Sequence, residues 1–362
     1  MGVENPSRLK AKDYFQYYDE RIQEFKEGNN SIAYHLRALD DAMHAFNESM
    51  VESGEYQYQF KFPKKERLSK KLNDEKVYRK AKETTVEAAS RKDVEEVCAR
   101  LREMKSHAAQ IAADVLWGEF VSGRRINAQL RHKAGDFNKE EGSLTSYGDK
   151  GGKDNFGFLR PEAIDHFTKL TMKVNGDRKS AGAPMIHLPY QFGDKAGQDK
   201  SIDNMRKHLS GLIKQVSDEL YTEGNIDNRV TSHGARKGFA QEEAFYLLHK
   251  SKKELQVHLD AIAEQDPKLR GKFGNVLKHI RSKFKVEANG KKRKFTKKEL
   301  VSLIVSTSIN HSRIDVMRYY LNKKFWENIK KNHSELLKDK PIYLSNCIAT
   351  RQSSIPRQST VL

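Results

Sequence analysis

The strongest constraint in the sequence is a helical period that returns along most of the chain. From Ser31, the apolar residues Ile32, Leu36, Leu39, Met43, Phe46 and Met50 recur at alternating steps of four and three. That spacing lays one apolar stripe along a helix, with Ser31 as its cap. The pattern resumes at Ser90, with Asp93 three residues on and Val94, Val97, Cys98, Leu101 and Met104 sharing a face. A second helix runs through Ile111, Ala112, Val115, Leu116 and Phe120 and stops at Ser122-Gly123. Met205, Leu209, Leu212, Ile213, Val216 and Leu220 open a further run, and helices dominate to about Leu337. Each stripe has to be covered by another element, so these helices pack around cores.

Two stretches break the period. Residues 134–160 are rich in Gly, Asp, Asn and Lys and read as loops with room for a short strand. Leu170, Met172 and Val174 then alternate with polar residues, a polar segment follows, and Met185-Ile186-His187-Leu188 is again apolar. This predicts a β-hairpin with a basic tip. The expected fold is mainly α with a small antiparallel β-sheet, in the α+β class. A helical domain is expected over 1–88 and a second domain over 89–340, followed by a polar, turn-rich tail over 341–362 that is flexible until it docks on a partner. Between Lys61 and Lys82 ten Lys and Arg stand against three Asp and Glu around Pro63. The stretch of about 61–88 reads as a basic linker or as an exposed helix facing phosphate.

The whole chain of 362 residues carries 67 Lys and Arg against 49 Asp and Glu, a formal charge of +18. That sign favours a polyanionic partner: DNA, RNA and an anionic membrane all fit it. No apolar run approaches the roughly 20 residues that span a bilayer. The first residues lack the apolar core of a secretory signal. A soluble, cytoplasmic protein without a membrane partner is therefore expected. Two cysteines, Cys98 and Cys347, make neither a disulfide framework nor a cysteine-rich zinc site, and the 13 histidines lack metal-ligand spacing. No metal and no cofactor is expected.

Breaking and resealing a phosphodiester without ATP needs a nucleophile that keeps the phosphate, cations around its non-bridging oxygens and an acid for the leaving oxygen. Arginine is the best clamp because its planar fork binds two oxygens at once. The segment Thr231-Ser232-His233-Gly234-Ala235-Arg236 resembles the His-x-x-Arg box of the tyrosine recombinase (phage integrase) family. The segment Ile309-Asn310-His311-Ser312-Arg313-Ile314, with Tyr320 nine residues after His311, resembles the family's Gly-His-Ser-x-Ile block and its tyrosine. Ser122-Gly123-Arg124-Arg125-Ile126 resembles its Thr-Gly-x-Arg-Ile turn.

That resemblance implies a helical DNA-binding domain followed by a catalytic domain, and carries the site to Arg125, Lys179, His233, Arg236, His311 and Tyr320. Arg125, Arg236 and His311 would hold the scissile phosphate, His233 would assist proton handling, and Tyr320 would form a 3′-phosphotyrosyl bond. Arg124 is the fallback for Arg125, and Tyr319 is the neighbour a one-residue slip would select. Lys179 is assigned as the acid at a hairpin tip, with Lys173, Arg178 and Lys153 as rivals. The implied partners are double-stranded DNA and further copies of the chain, a dimer to tetramer on DNA. The same chemistry serves a type IB topoisomerase or a telomere resolvase, and a non-catalytic nucleic-acid binder is the alternative from another class. The chain departs from the family where Asn310 replaces the glycine before the second histidine and where the residues after Arg125, Ile126-Asn127-Ala128, lack the glutamate many members carry there. The 75 residues from Arg236 to His311 predict a helical insertion over about 245–300. The stretch Phe325-Trp326-Ile329 is amphipathic and suits packing on its own domain or on a neighbour.

Overall fold

A computed structural model of the protein describes residues 11–29, 35–36, 38–39, 42, 44–45, 49, 65–77, 86–149, 153–174, 181–186, 195–265, 284–286, 292–311 and 314–338. The chain divides into two compact units, Met1–Thr85 and Val86–Leu362. In the first unit, Tyr14, Tyr18 and Ile22 follow one another at steps of four on α1 (Ala11–Lys26), and all three are buried. They meet Leu36, Leu68, Leu72 and Val77 in a small core, where the Tyr18 hydroxyl donates to the Leu36 carbonyl at 3.1 Å. Residues 35, 36, 38, 39, 42, 44, 45 and 49 are helical, while Ser31 lies outside the described residues. The basic stretch contains a helix, α2 (Lys65–Asp74), which buries Leu68 and Leu72 and turns Lys70 outward to Asp74.

The second unit is built on two large apolar cores, with a smaller cluster of Leu144, Phe167, Leu170 and Met185. Ser90 caps α3 (Arg91–Glu103), its hydroxyl accepting the Asp93 amide at 3.1 Å. Helix α3, α4 (His107–Ser122) and, beyond α5 (Ile126–Gln129), the long helix Lys195–Thr222 bury Val94, Val97, Leu101, Leu116, Phe120, Leu209, Ile213 and Val216 together. The second core joins helices Ser232–Leu248, Lys252–Gln265, Lys297–Ser308, Met317–Tyr320 and Lys323–Asn332 through Phe239, Leu247, Leu255, Leu300, Ile304, Met317 and Ile329. In chain order these helices follow α6 (Pro161–Val174), and we number Lys195–Thr222 α7, Ser232–Leu248 α8, Lys252–Gln265 α9, Lys297–Ser308 α10, Met317–Tyr320 α11 and Lys323–Asn332 α12. Helix α8 serves both cores: Ala235 packs in the first and Phe239 onward in the second.

The sheet lies elsewhere than the alternation suggested. Residues 170–174 end α6, whose buried face is Ala163, Phe167 and Leu170 at helical steps. The three-stranded antiparallel sheet is β1 (Phe137–Asn138), β2 (Ser143–Asp149) and β3 (Lys153–Phe158), inside the Gly-rich stretch read as loops with room for a short strand. The stretch expected as a helical insertion carries α9 and a two-stranded ribbon, β4 (Phe284–Val286) with β5 (Lys292–Lys294). The tail of 341–362 lies outside the described residues. No helix among the described residues is long and apolar enough to cross a membrane.

Helix α8 passes very close to the segment before α3. The Ala89 amide donates to the Gly234 carbonyl at 3.0 Å. A Cβ at Gly238 would stand 2.3 Å from the Ala89 carbonyl oxygen and 2.7 Å from the Phe120 ring. Glycine is therefore required in mid-helix by close approach, although alanine is the better helix former by about 1 kcal/mol. Gly238→Ala is expected to lose up to about 2 kcal/mol net, because overpacking of about 1–3 kcal/mol exceeds that gain when the backbone cannot give way. A urea midpoint equal to or above that of the wild type would refute this.

Candidate active site

The site is built where three chain segments turn beside one another. Helix α4 ends at Gly123, which adopts φ 67° and returns its amide to the Glu119 carbonyl at 2.9 Å. Left-handed backbone of this kind favours glycine. Space demands it too, since a Cβ there would meet the Phe239 ring at 2.4 Å and Ile309 at 2.9 Å. The turn after α4, the start of α8 and the turn after α10 are thereby pressed together.

Two buried arginines lock this junction. Arg236, on the first turns of α8, donates Nε to the Gly123 carbonyl at 2.9 Å and Nη2 to the Ile309 carbonyl at 2.7 Å. Burial lowers its pKa, and Arg125 nearby pushes it further the same way. Arg124 donates to the Ser308 carbonyl at 3.2 Å and, through Nη2, to the Leu144 carbonyl of β2 at 3.1 Å. Burial brings Arg124 down to about 10. Its guanidinium lies over Gly157, where a Cβ would come within 2.9 Å of Nη2. Both Arg124 groups are thus spent on backbone carbonyls, so Arg124 wires the sheet to the junction while Arg125, more exposed, faces the site.

Arg125 is held by Asp149 at the end of β2, with Nη1 donating to Oδ2. Register explains how Asp149 reaches it. Ser143 to Ser146 pair with Phe158 to Asn155 in strict sequence, but Asp149 pairs with Lys153, one residue out of step. An extra residue in β2, with Gly148 at φ 62°, makes a bulge that turns Asp149 to the buried face shared by Leu144 and Ser146. The same Oδ2 accepts the side-chain amide of Asn310 at 2.7 Å. Asn310 itself adopts φ 55°. Asparagine is among the few residues that tolerate left-handed backbone, so this position accepts it where the family resemblance led us to expect glycine.

Thr231 caps α8 by accepting the Gly234 amide at 3.0 Å, which sets His233 in the first turn. Burial, reinforced by Arg236, Lys237 and Arg125, lowers His233 to about 4, so the imidazole is neutral at pH 7. His311 follows Asn310, and its Nε2 lies 3.1 Å from the Tyr320 hydroxyl. The Tyr320 ring is also edge-on to His233, 5.7 Å between centroids. Tyr320 is buried on α11, whereas the Tyr319 hydroxyl accepts from Arg318 at 2.9 Å on the outer side of that turn. The structure therefore brings Arg125, His233, Arg236, His311 and Tyr320 to one place.

Lys179 and Arg178 lie outside the described residues. The hairpin that was to carry Lys179 is displaced: residues up to 174 belong to α6, and the antiparallel pair of strands is β2 with β3. Its strand β3 begins at Lys153, paired with Asp149. Sequence reasoning passed over Asp149, Asn310 as a bonding group, and Glu119. Glu119 is fully buried one turn before Gly123, and its Oε1 accepts the Ile126 amide at 2.9 Å and the Ser232 hydroxyl at 2.7 Å. It ties the start of α5 to the start of α8. A buried acid in an otherwise apolar helix was the available signal. Among the described residues no group of three His, Cys, Asp or Glu is placed to hold a metal ion.

No family model matches the sequence, and no curated protein does. Among solved structures, the chain is similar to XerA recombinase at 12% identity and TM-score 0.38, over 91% of this chain and 85% of that one. It is similar to the XerH site-specific recombinase bound to palindromic difH substrate in a post-cleavage complex, at 13% identity and TM-score 0.38, over 70% of this chain and 55% of that one. It is also similar to the integrase from mycobacterium phage Brujita, at 17% identity and TM-score 0.30, over 68% of this chain and 69% of that one.

Burial pushes Glu119 up to about 8 from an ordinary 4.5. Between those values the folded chain holds a proton that the unfolded chain releases, so this group costs stability progressively as pH rises from 4.5 to 8. Glu119→Gln keeps an oxygen for the Ile126 amide and the Ser232 hydroxyl but does not titrate. Its stability relative to the wild type is expected to improve from pH 5 to pH 8 in urea unfolding, at roughly those pH values chosen to bracket the shift. A difference that stays flat or reverses with pH would show that Glu119 ionises normally.

Proposed function

We propose that the chain is a tyrosine recombinase that cuts and rejoins double-stranded DNA through a 3′-phosphotyrosyl intermediate on Tyr320. The observation that carries this reading is the Tyr320 hydroxyl 3.1 Å from His311, in a group completed by His233, Arg236 and Arg125 from two other segments. A phenol among two imidazoles and two guanidinium groups suits in-line attack on a phosphodiester, since the cations stabilise the charge that develops on the non-bridging oxygens. Arg125 and Arg236 act as the clamp, with His311 bonding both the nucleophile and a phosphate oxygen.

In the first step the Tyr320 oxygen bonds to phosphorus, the bond from phosphorus to the 5′ oxygen breaks, and the phenolic proton passes to a neighbouring imidazole. His311 is placed to take it, with Nε2 3.1 Å from the hydroxyl, while His233, neutral at physiological pH and edge-on to the Tyr320 ring, assists proton handling. The leaving 5′ oxygen takes a proton from a lysine acid, whose pKa nearby arginines bring towards neutrality. Lys179 was the first assignment for that acid. Lys153, at the mouth of the β2–β3 hairpin beside the Arg125 partner Asp149, is favoured by the sheet register. In the second step a 5′ hydroxyl from a partner strand attacks the phosphotyrosyl bond and frees Tyr320. The ester keeps the bond energy, so the scheme runs without ATP or metal.

The formal charge of +18 suits DNA by phosphate neutralisation and makes binding steeply salt-dependent. One tyrosine cuts one strand, so exchange between two duplexes calls for several copies, a dimer to tetramer on the DNA. A soluble, DNA-associated protein follows from the same reading.

A suicide substrate, nicked so that the released 5′ end diffuses away, should trap a covalent protein–DNA adduct. Tyr320→Phe should abolish the adduct and Tyr319→Phe should retain it. Arg125→Ala should slow its formation by about 10²–10³-fold, as expected for loss of one donor to the developing charge. An adduct that survives Tyr320→Phe would end this assignment. Salt-sensitive binding with no adduct under any condition would identify a non-catalytic nucleic-acid binder instead. Relaxed circles or hairpin ends as products would redirect the same chemistry to a topoisomerase or a telomere resolvase.

A further inference from the structure

We infer that Asp149 is a positioning residue for this site, setting Arg125 and the turn before His311 with a single carboxylate oxygen; this rests on the function proposed above. Asp149 Oδ2 accepts Nη1 of Arg125 and, at 2.7 Å, the side-chain amide of Asn310. The first bond fixes the plane of a clamp arginine. The second pins the residue immediately before the histidine that bonds Tyr320. Two catalytic segments 185 residues apart, at 125 and 310, thus share one acceptor.

Three features separate this arrangement from an ordinary surface ion pair, which contributes little to stability. The Asp149 side chain is only 4% exposed. It reaches the site through a bulge that costs β2 a residue out of register, a device that re-aims a side chain. Its partner Asn310 occupies left-handed backbone, which the short amide side chain tolerates and most others do not. Besides bonding Arg125, the carboxylate favours the charged form of Arg124 and, after Tyr320 and Glu119, that of Arg236.

The mechanism is preorganisation. A guanidinium carries five N–H donors, and Asp149 engages Nη1 of Arg125. The other donors keep a fixed orientation towards the place where phosphate would sit. A held fork loses less rotational freedom when phosphate arrives and meets the transition state in register. Asp149 touches neither phosphate nor Tyr320, so it positions rather than reacts. It is also a negative charge close to an anionic substrate. Its removal should therefore leave DNA affinity unchanged or raised while slowing the covalent step, a split that general unfolding does not produce.

The test uses the full-length chain. Asp149→Asn preserves shape and removes the charge; Asn310→Gly removes the amide while keeping a residue at ease with left-handed backbone. For Asp149→Asn, single-turnover adduct formation on the suicide substrate should slow by about 10-fold or more at saturating enzyme, with the Kd for that DNA within about 2-fold or tighter. Asn310→Gly should give a smaller slowing, and the double variant should be less than additive because both bonds end on one oxygen. In the DNA-free protein, nitrogen-15 spectra of the arginine side chains should show restricted rotation of the Arg125 guanidinium in the wild type and averaging in Asp149→Asn. A wild-type rate in Asp149→Asn, a parallel loss of rate and affinity, or an unchanged Arg125 spectrum would each overturn the inference. If the wild type itself forms no adduct, the recombinase reading falls, and the Arg125 spectra still decide whether Asp149 holds that side chain.

Discussion

Two guanidinium groups buried in one protein interior, with a third at its edge, are the constraint around which this unit is arranged. Burial lowers the pKa of both Arg124 and Arg236; Arg236 and Arg125 push Arg124 further down, and Arg125 does the same to Arg236. Such groups are tolerated inside a fold only when hydrogen-bonded and balanced by opposite charge. The chain answers with four carbonyls, those of Gly123, Ile309, Ser308 and Leu144, and with the carboxylate of Asp149. Carbonyls become available at the ends of helices, where the last turn leaves acceptors without an intrahelical donor. The arginines therefore draw the end of α4 and the end of α10 to the start of α8.

The backbone at the junction is shaped by the same demand. Gly123 takes left-handed backbone against Phe239, Asn310 takes it beside Asp149, and Gly148 takes it in the bulge that turns Asp149 inward. Each is a local departure from regular structure that delivers one group to the cluster. The histidines and tyrosine then fit beside it. His233 is kept neutral by burial and by the arginines it adjoins, while His311 is fixed by its backbone and bonds the Tyr320 hydroxyl. Helix α8 matters most mechanically, because it belongs to both apolar cores and carries His233 and Arg236 at the place where they meet.

The helices were legible because burial acts along each of them at a fixed period. Val94, Val97, Cys98 and Leu101, and likewise Leu209, Ile213, Val216 and Leu220, are buried as their spacing required. The sheet was misread for a physical reason. Leu170, Met172 and Val174 alternate over too short a run to separate a strand from the end of a helix, and Ala163 and Phe167 upstream extend the helical face instead. The true strands hold Gly, Ser, Asp and Asn because their buried side faces polar groups of the site as well as the core: His132 meets Ser146 at 2.8 Å, and Asp149 meets Arg125 and Asn310. A strand with so polar an inner face has no hydrophobic alternation to display.

What the sequence settled by itself was local: the helical class, the cap at Ser90 and the stop at Gly123. These depend on neighbours within a few positions, where propensity, capping and spacing act. The tertiary structure decided which of two adjacent arginines is buried wiring and which faces the site, which of two adjacent tyrosines meets His311, and that Asp149 and Glu119 belong with them. Those choices turn on a strand bulge and on contacts between residues more than a hundred positions apart, such as Arg236 with Gly123. Burial, charge balance and the direction of a side chain are properties of the assembled interior, and no window of sequence contains them.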